Sequence, residues 1–104
     1  MIAQETIQTI VDHIREKAKP SAMYLFGSYA YGTPHENSDL DLVVIKNIVQ
    51  NKREELYSII NDLFSSDYSL DVLLFSEAEF EQKRKEGWLI IREILEKGVN
   101  LNVG

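Results

Sequence analysis

The sequence predicts an α/β fold, a short mixed β-sheet with helices packed mainly on one side. Three observations predict it. Apolar runs of strand length recur at 22–26, 40–45 and 70–75. The stretches around them carry apolar residues at helical spacing. The resulting order is helix, strand, loop, strand, helix, strand, helices, which builds layers around one sheet. With 104 residues, 44% of them hydrophobic, the chain is expected to form one domain, 1–104, with a core of ordinary size.

In residues 4–17, Ile7, Ile10, Val11 and Ile14 make one apolar stripe among polar and charged neighbours, an amphipathic helix. His13 falls beside the stripe and reads as a partly exposed helical side chain. Pro20 and Ser21 end this helix and lead into the strand 22–26. The loop 27–38 is rich in Gly, Ser, Thr, Pro and Asn, and by composition alone it is an ordinary surface loop. Its place between two apolar strands, directly ahead of Asp39 and Asp41, makes it a candidate ligand loop. Residues 28–32 are expected to form a short helical turn. Tyr29 and Tyr31 either pack that turn against the body or stack a base. His35 and Glu36, near the tip, read as solvated surface.

After the second strand, 46–51 is a polar connection. Leu56, Ile59, Ile60 and Leu63 then give 52–63 a second apolar stripe, ended by Ser65, Ser66 and Asp67. The third strand carries Asp71 near its start. Ser76 followed by Glu79 reads as a capping box for a charged helix over 77–85. Gly87 interrupts it, and Trp88 to Leu95 opens a strongly apolar last helix with Gly98 as its expected C-cap. Trp88 is expected to anchor the core or an interface. The tail 99–103 alternates and is expected to add an edge strand.

The chemistry concentrates in 27–45. Side chains two apart on a strand share a face, so Asp39 and Asp41 point the same way. Like charges held that close repel unless a cation stands between them. Paired carboxylates at a strand end make sense as a seat for Mg²⁺, a hard ion that prefers oxygen ligands. The Gly27–Ser28 turn stands beside them, with backbone N–H groups and a hydroxyl available to a phosphate.

Gly27, Ser28, Ala30, Gly32, Ser38, Asp39, Asp41 and Leu42 together resemble the signature of the DNA polymerase β-type nucleotidyltransferase superfamily. The short chain and the Gly-Ser-x-Ala-x-Gly form look most like its minimal nucleotidyltransferases, which commonly serve as the antitoxin half of HEPN/MNT toxin–antitoxin pairs. That resemblance implies the nucleotidyltransferase fold. It implies catalytic and metal-binding roles for Asp39, Asp41 and a third carboxylate on the neighbouring strand, Asp71, with Asp67 as the substitute if the register differs. Gly27, Ser28 and Ser38 are the expected nucleotide-binding residues, Ser38 chiefly by orienting the loop or a carboxylate. Two Mg²⁺ ions would serve the transfer of AMP from ATP to a tyrosine hydroxyl of a cognate HEPN toxin. One departure stands out: the family usually carries Arg where this chain has Tyr31. The alternatives are a catalytically weak antitoxin that neutralises its partner by contact, or a nucleotide-transferring subunit acting on a small molecule such as an aminoglycoside.

The composition constrains partners. A net charge of −6 argues against coating DNA or RNA, which takes a basic face. It leaves room for a nucleotide held through Mg²⁺. The absence of Cys excludes thiolate chemistry and disulfides and suits a cytoplasmic protein, and no apolar run approaches membrane-spanning length. Self-association or a protein partner is expected, because so small a domain leaves much surface exposed.

Overall fold

The strand β2 (Leu40–Lys46) carries Leu40, Leu42, Val43 and Val44 without measurable exposure. A strand apolar on both faces is stable only between two layers. In the computed structural model, which describes residues 2–36, 38–63 and 68–101, β2 lies inside a four-stranded sheet. It pairs antiparallel with β1 (Ala22–Phe26) and parallel with β3 (Leu70–Ser76). A short β4 (Val99–Asn100) pairs antiparallel with the far side of β1, giving the order β3-β2-β1-β4. The mixed sheet is the one expected.

Helix α1 (Gln4–Ala18) buries the predicted stripe and ends where Lys19 turns left-handed at φ 48°. The turn α2 (Ser28–Tyr31) sits inside the β1–β2 connection. Parallel strands need a crossover, here α3 (Lys52–Ile60) continued by a 3₁₀ turn, Asn61–Leu63. Two helices, α4 (Glu77–Lys85) and α5 (Leu89–Lys97), follow β3.

The larger core cluster joins Ile7, Ile10, Val11 and Ile14 of α1 and Ile59 of α3 to Leu40, Leu42 and Val44. Helical packing was expected mainly on one side, and this larger cluster is the heavier of the two. The opposite face is covered too. Phe80 of α4 and Ile91 and Ile94 of α5 close over Val43, Ile45 and Phe75 in a smaller cluster. The β2 residues alternate between the two because strand side chains alternate.

Three expectations about the C-terminal helices change. Ser76 Oγ accepts from Glu79 N at 3.1 Å, but the Glu79 carboxylate turns to Lys52 Nζ at 2.7 and 2.9 Å, so only half of the capping box forms. Trp88 stays half-exposed rather than anchoring the core: Lys83 lies 3.9 Å above its ring and its Nε1 donates to Glu86. Gly98 is the expected C-cap, its N–H donating to Ile94 O at 2.9 Å, but its backbone is extended, with φ −71°, rather than left-handed. It is required for space, since a Cβ there would overlap the Ile94 carbonyl oxygen and come within 3.2 Å of the Leu25 carbonyl. The predicted helix breaker at 65–67, the substitute Asp67 and the tail beyond Leu101 lie outside the described residues. Among the described residues no helix is long and apolar enough to cross a membrane.

Candidate active site

Register brings the carboxylates together. In the parallel β2–β3 ladder Asp41 stands opposite Asp71, and in the antiparallel β1–β2 ladder it stands opposite Phe26. Asp39 lies just ahead of β2, two positions before Asp41 and so on its face. That face is the α4/α5 side, because Val43 and Ile45 continue it into the smaller cluster. Asp39 and Asp71 are exposed and Asp41 is partly buried. The sheet thus ends in an acidic corner, with the apolar packing starting one pair of residues further along.

The electrostatics agree with the register. Burial first, then the charges of Asp71 and Asp39, push the Asp41 carboxyl up from its ordinary 3.8 to about 6. Both neighbours are close enough to repel it.

Gly27 makes the corner possible. Its φ of 75° is a conformation that side chains disfavour. A Cβ at this position would also overlap Asp41 Oδ2 and lie 3.2 Å from its Cγ. The loop backbone therefore rests directly on the carboxylate. The carbonyl of Gly27 accepts from Ala30 N at 3.0 Å and Tyr31 N at 3.1 Å, which winds α2. Ser28 opens that turn, and its carbonyl accepts from Thr33 N at 3.0 Å. The expected helical turn over 28–32 is present, with Gly32 closing it in the left-handed region.

The other predicted loop residues separate by role. Ser38 Oγ accepts from His35 N at 2.9 Å while Ser38 N donates to His35 O at 2.9 Å, so Ser38 clamps the loop just ahead of Asp39. Tyr29 packs against the larger core and its Oη accepts from Ile2 N at 2.8 Å. Tyr31 is 42% exposed and carries Lys97 Nζ 5.9 Å from its ring. That contact between α2 and the end of α5 is one no local pattern announces.

Among the described residues no group of three or more His, Cys, Asp or Glu is arranged to hold a metal ion by itself. The donor set of Asp39, Asp41 and Asp71 is nonetheless all oxygen and anionic, which suits Mg²⁺. That ion is ordinarily held by one or two carboxylates, with waters and substrate phosphates completing its shell. Two cavities lie elsewhere. One of about 190 Å³ is lined by residues including Arg84, Trp88, Arg92 and Leu95, and one of about 350 Å³ by residues including Ile48, Asn51 and Glu55. Gly27 borders the acidic corner, its backbone against the Asp41 carboxylate.

The comparisons with known proteins bear on the family and the fold. A Methanocaldococcus jannaschii protein, MJ1305, whose name proposes a protein adenylyltransferase, is 32% identical over 66 residues, covering 58% of this chain. The match spans less than half of that relative's length, 45%. Among solved structures, a toxin–antitoxin complex, MntA–HpeT with two Asp-to-Glu substitutions, superposes with a TM-score of 0.68 at 22% identity, covering 93% of this chain and 73% of the other. A toxin–antitoxin structure with AMP-PNP gives a TM-score of 0.64 at 24% identity with the same coverage. These likenesses bear out the nucleotidyltransferase fold. The family model described as "Nucleotidyltransferase domain" matches residues 7–101, from α1 through β4, and the chain belongs to that family.

Proposed function

We propose that this chain is a Mg²⁺-dependent nucleotidyltransferase that moves AMP from ATP to a hydroxyl of a partner protein. The observation that carries the reading is the Asp41–Asp71 pair, adjoined by Asp39 and by the bare backbone of Gly27. Family membership and the adenylyltransferase relative support the reaction type. The toxin–antitoxin neighbours support a toxin as the partner, and the resemblance in 27–42 favours a HEPN toxin with a tyrosine acceptor.

Asp39 and Asp41 would hold Mg²⁺, and Asp71 would share a second ion. When bound, the metal supplies charge neutralisation on the phosphate oxygens and on the leaving group. The chain's own residues do the rest. Gly27 admits the triphosphate close to the backbone, because no side chain stands in the way. Ser28 donates its hydroxyl and N–H to a phosphate oxygen, and Ser38 holds the loop in place. Asp71, exposed on the outer strand, positions the acceptor hydroxyl and takes its proton. The acceptor oxygen bonds to the α-phosphorus, the bond to the β-phosphate oxygen breaks, and pyrophosphate leaves.

A second reading is favoured by one specific feature. The loop 27–38 contains neither Lys nor Arg to grip phosphate, which suits an antitoxin acting by contact alone. Thermal shift with ATP, with and without Mg²⁺, separates the two on wild type and Asp39→Asn/Asp41→Asn. A ligand at a hundred times its Kd adds about 2.7 kcal/mol of stability. The enzyme reading expects a Mg²⁺-dependent shift in wild type and none in the double variant. It expects labelled AMP on the co-expressed partner with wild type alone, a difference of about a thousandfold or more in rate. A double variant that protects as well as wild type would leave contact-only neutralisation standing.

A further inference from the structure

We propose that Lys97 supplies the phosphate-gripping cation that the nucleotide loop lacks; this rests on the reading of the acidic corner as a triphosphate site. An acidic corner in a chain of net charge −6 repels a triphosphate, and a fixed cation near the phosphates offsets part of that repulsion. None is available within 27–38.

The fold delivers Lys97 to the place required. Strand β4 pairs with β1 so that Val99 meets Leu25 and Asn100 meets Tyr24. One step further along this register Gly98 comes beside Phe26, and Lys97, the last residue of α5, directly precedes it. Phe26 in turn stands opposite Asp41. Adjacent strands lie about 4.8 Å apart, so Gly98 stands roughly 10 Å from Asp41 across the sheet. A flexible four-carbon stem and a compact ammonium suit Lys97 to that span. The backbone carrying it is fixed, because Gly98 is wedged against the carbonyls of Ile94 and Leu25. The side chain itself is uncommitted. Lys97 is exposed, its Nζ rests 5.9 Å from the ring of Tyr31, and among the described residues it forms no salt bridge.

Several other cations are engaged or badly placed. Lys46 sits at the opposite end of β2 and pairs with Glu55 at 2.7 Å. Lys52 pairs with Glu79, Arg84 with Glu81, and Lys83 covers Trp88. Lys97 also complements the dipole of α5, which helps stability and has no bearing on nucleotide affinity.

The test is isothermal titration of the whole chain with ATP and with AMP, in Mg²⁺, for wild type, Lys97→Ala, Lys97→Arg and the remote control Lys17→Ala. We expect Lys97→Ala to lose about tenfold in affinity for ATP, the size of one charge-assisted hydrogen bond, and at most about twofold for AMP. Lys97→Arg, which keeps the charge, and Lys17→Ala should stay near wild type. Unchanged ATP affinity in Lys97→Ala overturns the assignment, as does an equal loss for AMP and ATP or a loss in Lys97→Arg as large as in Lys97→Ala. A wild type that binds no triphosphate overturns the reading of the corner itself, whereas wild-type binding that Lys97→Ala leaves intact overturns only the role of Lys97.

Discussion

The two faces of β2 are built from the same kind of residue and finish differently. On the α1/α3 face Leu40, Leu42 and Val44 are buried, starting at the corner end of the strand, and Lys46 at the far end is only partly buried. On the α4/α5 face Val43 and Ile45 are buried, but the position in line with them is Asp41, followed outward by Asp39. At the corner one face is sealed by Leu40 and Leu42, while the other is sealed for two residues and then opened to charge. The difference separates two tasks. The long α1 layer holds the sheet together, and the short α4/α5 layer leaves one corner uncovered, so that like charges gather there without being fully desolvated.

The sharpest way to break this comparison is to cut a cavity on each side. Ile14→Ala and Ile94→Ala each remove a fully buried side chain and should cost about 2–5 kcal/mol. Ile14→Ala should sit near the upper end, because the wide α1 interface relaxes less readily than the short α5. Urea denaturation measures both, and a larger loss for Ile94→Ala would reverse the assignment of stability to the sealed face. Gly27→Ala comes next, at about 1–3 kcal/mol for the left-handed backbone, with the overlap onto Asp41 added. It should reduce Mg²⁺-dependent nucleotide binding as well, which the cavity variants should do only in proportion to unfolding.

The helix caps sharpen the comparison at a smaller scale. Asn51 caps α3 on the sealed face through Glu54 N at 3.1 Å, and Ser76 caps α4 on the open face through Glu79 N. Each Ala substitution should cost about 1 kcal/mol in thermal melts. Equal losses are expected, because a cap senses its own helix and not the layer beneath it.

The smallest effect is a pH response of the metal-free chain. The Asp41 carboxyl is raised to about 6 in the folded state from an ordinary 3.8, so the folded chain holds that proton more tightly than the unfolded chain. The stability it contributes is complete below 3.8 and is lost as the pH rises through 6. Melting temperature should therefore fall between pH 5 and pH 7 by an amount that Asp41→Asn removes. Because the group is largely solvated, the difference should stay below about 1 kcal/mol. The carboxylates lowered by hydrogen bonds, Glu55 from Lys46, Glu81 from Arg84 and Glu86 from Gln82, act below 4.5 and outside this window. A wild type and Asp41→Asn with parallel profiles would count against the clustering.

Much of this was legible in the residues, for physical reasons. Apolar alternation and helical stripes report burial directly, so the strands at 22–26 and 70–75 and the helix carrying Ile7 to Ile14 fall within a residue or two of their positions. The pairing of Asp39 with Asp41 followed from parity along a strand, whereas Asp71 was expected from the resemblance to the nucleotidyltransferase superfamily; the register of β2 on β3 sets it opposite Asp41. What local pattern could not provide was contact between distant segments. Glu79 has the right spacing for a capping box, yet Lys52 of another helix takes its carboxylate. Gly98 caps α5 as expected, yet the carbonyl of Leu25, in another strand, is part of what excludes a side chain there. Trp88 was expected to anchor the core or an interface, and at the N-cap of α5 it stays half-exposed. The approach of Lys97 to Tyr31 is of the same kind.

The segment joining β1 to β2 is at once the turn of a hairpin and the rim of the acidic corner. Lengthening a flexible connection costs only logarithmically, about 0.6 kcal/mol for each doubling. Insertions beside Pro34, ahead of the clamp between His35 and Ser38, are therefore open to evolutionary drift and to the grafting of new recognition sequence. Slippage of the strands it connects is not. A shift of β2 by one residue would turn Asp41 toward α1 and present Leu42 to the corner. Such a family can diversify what it recognises through the length of this hairpin while its strand register stays frozen.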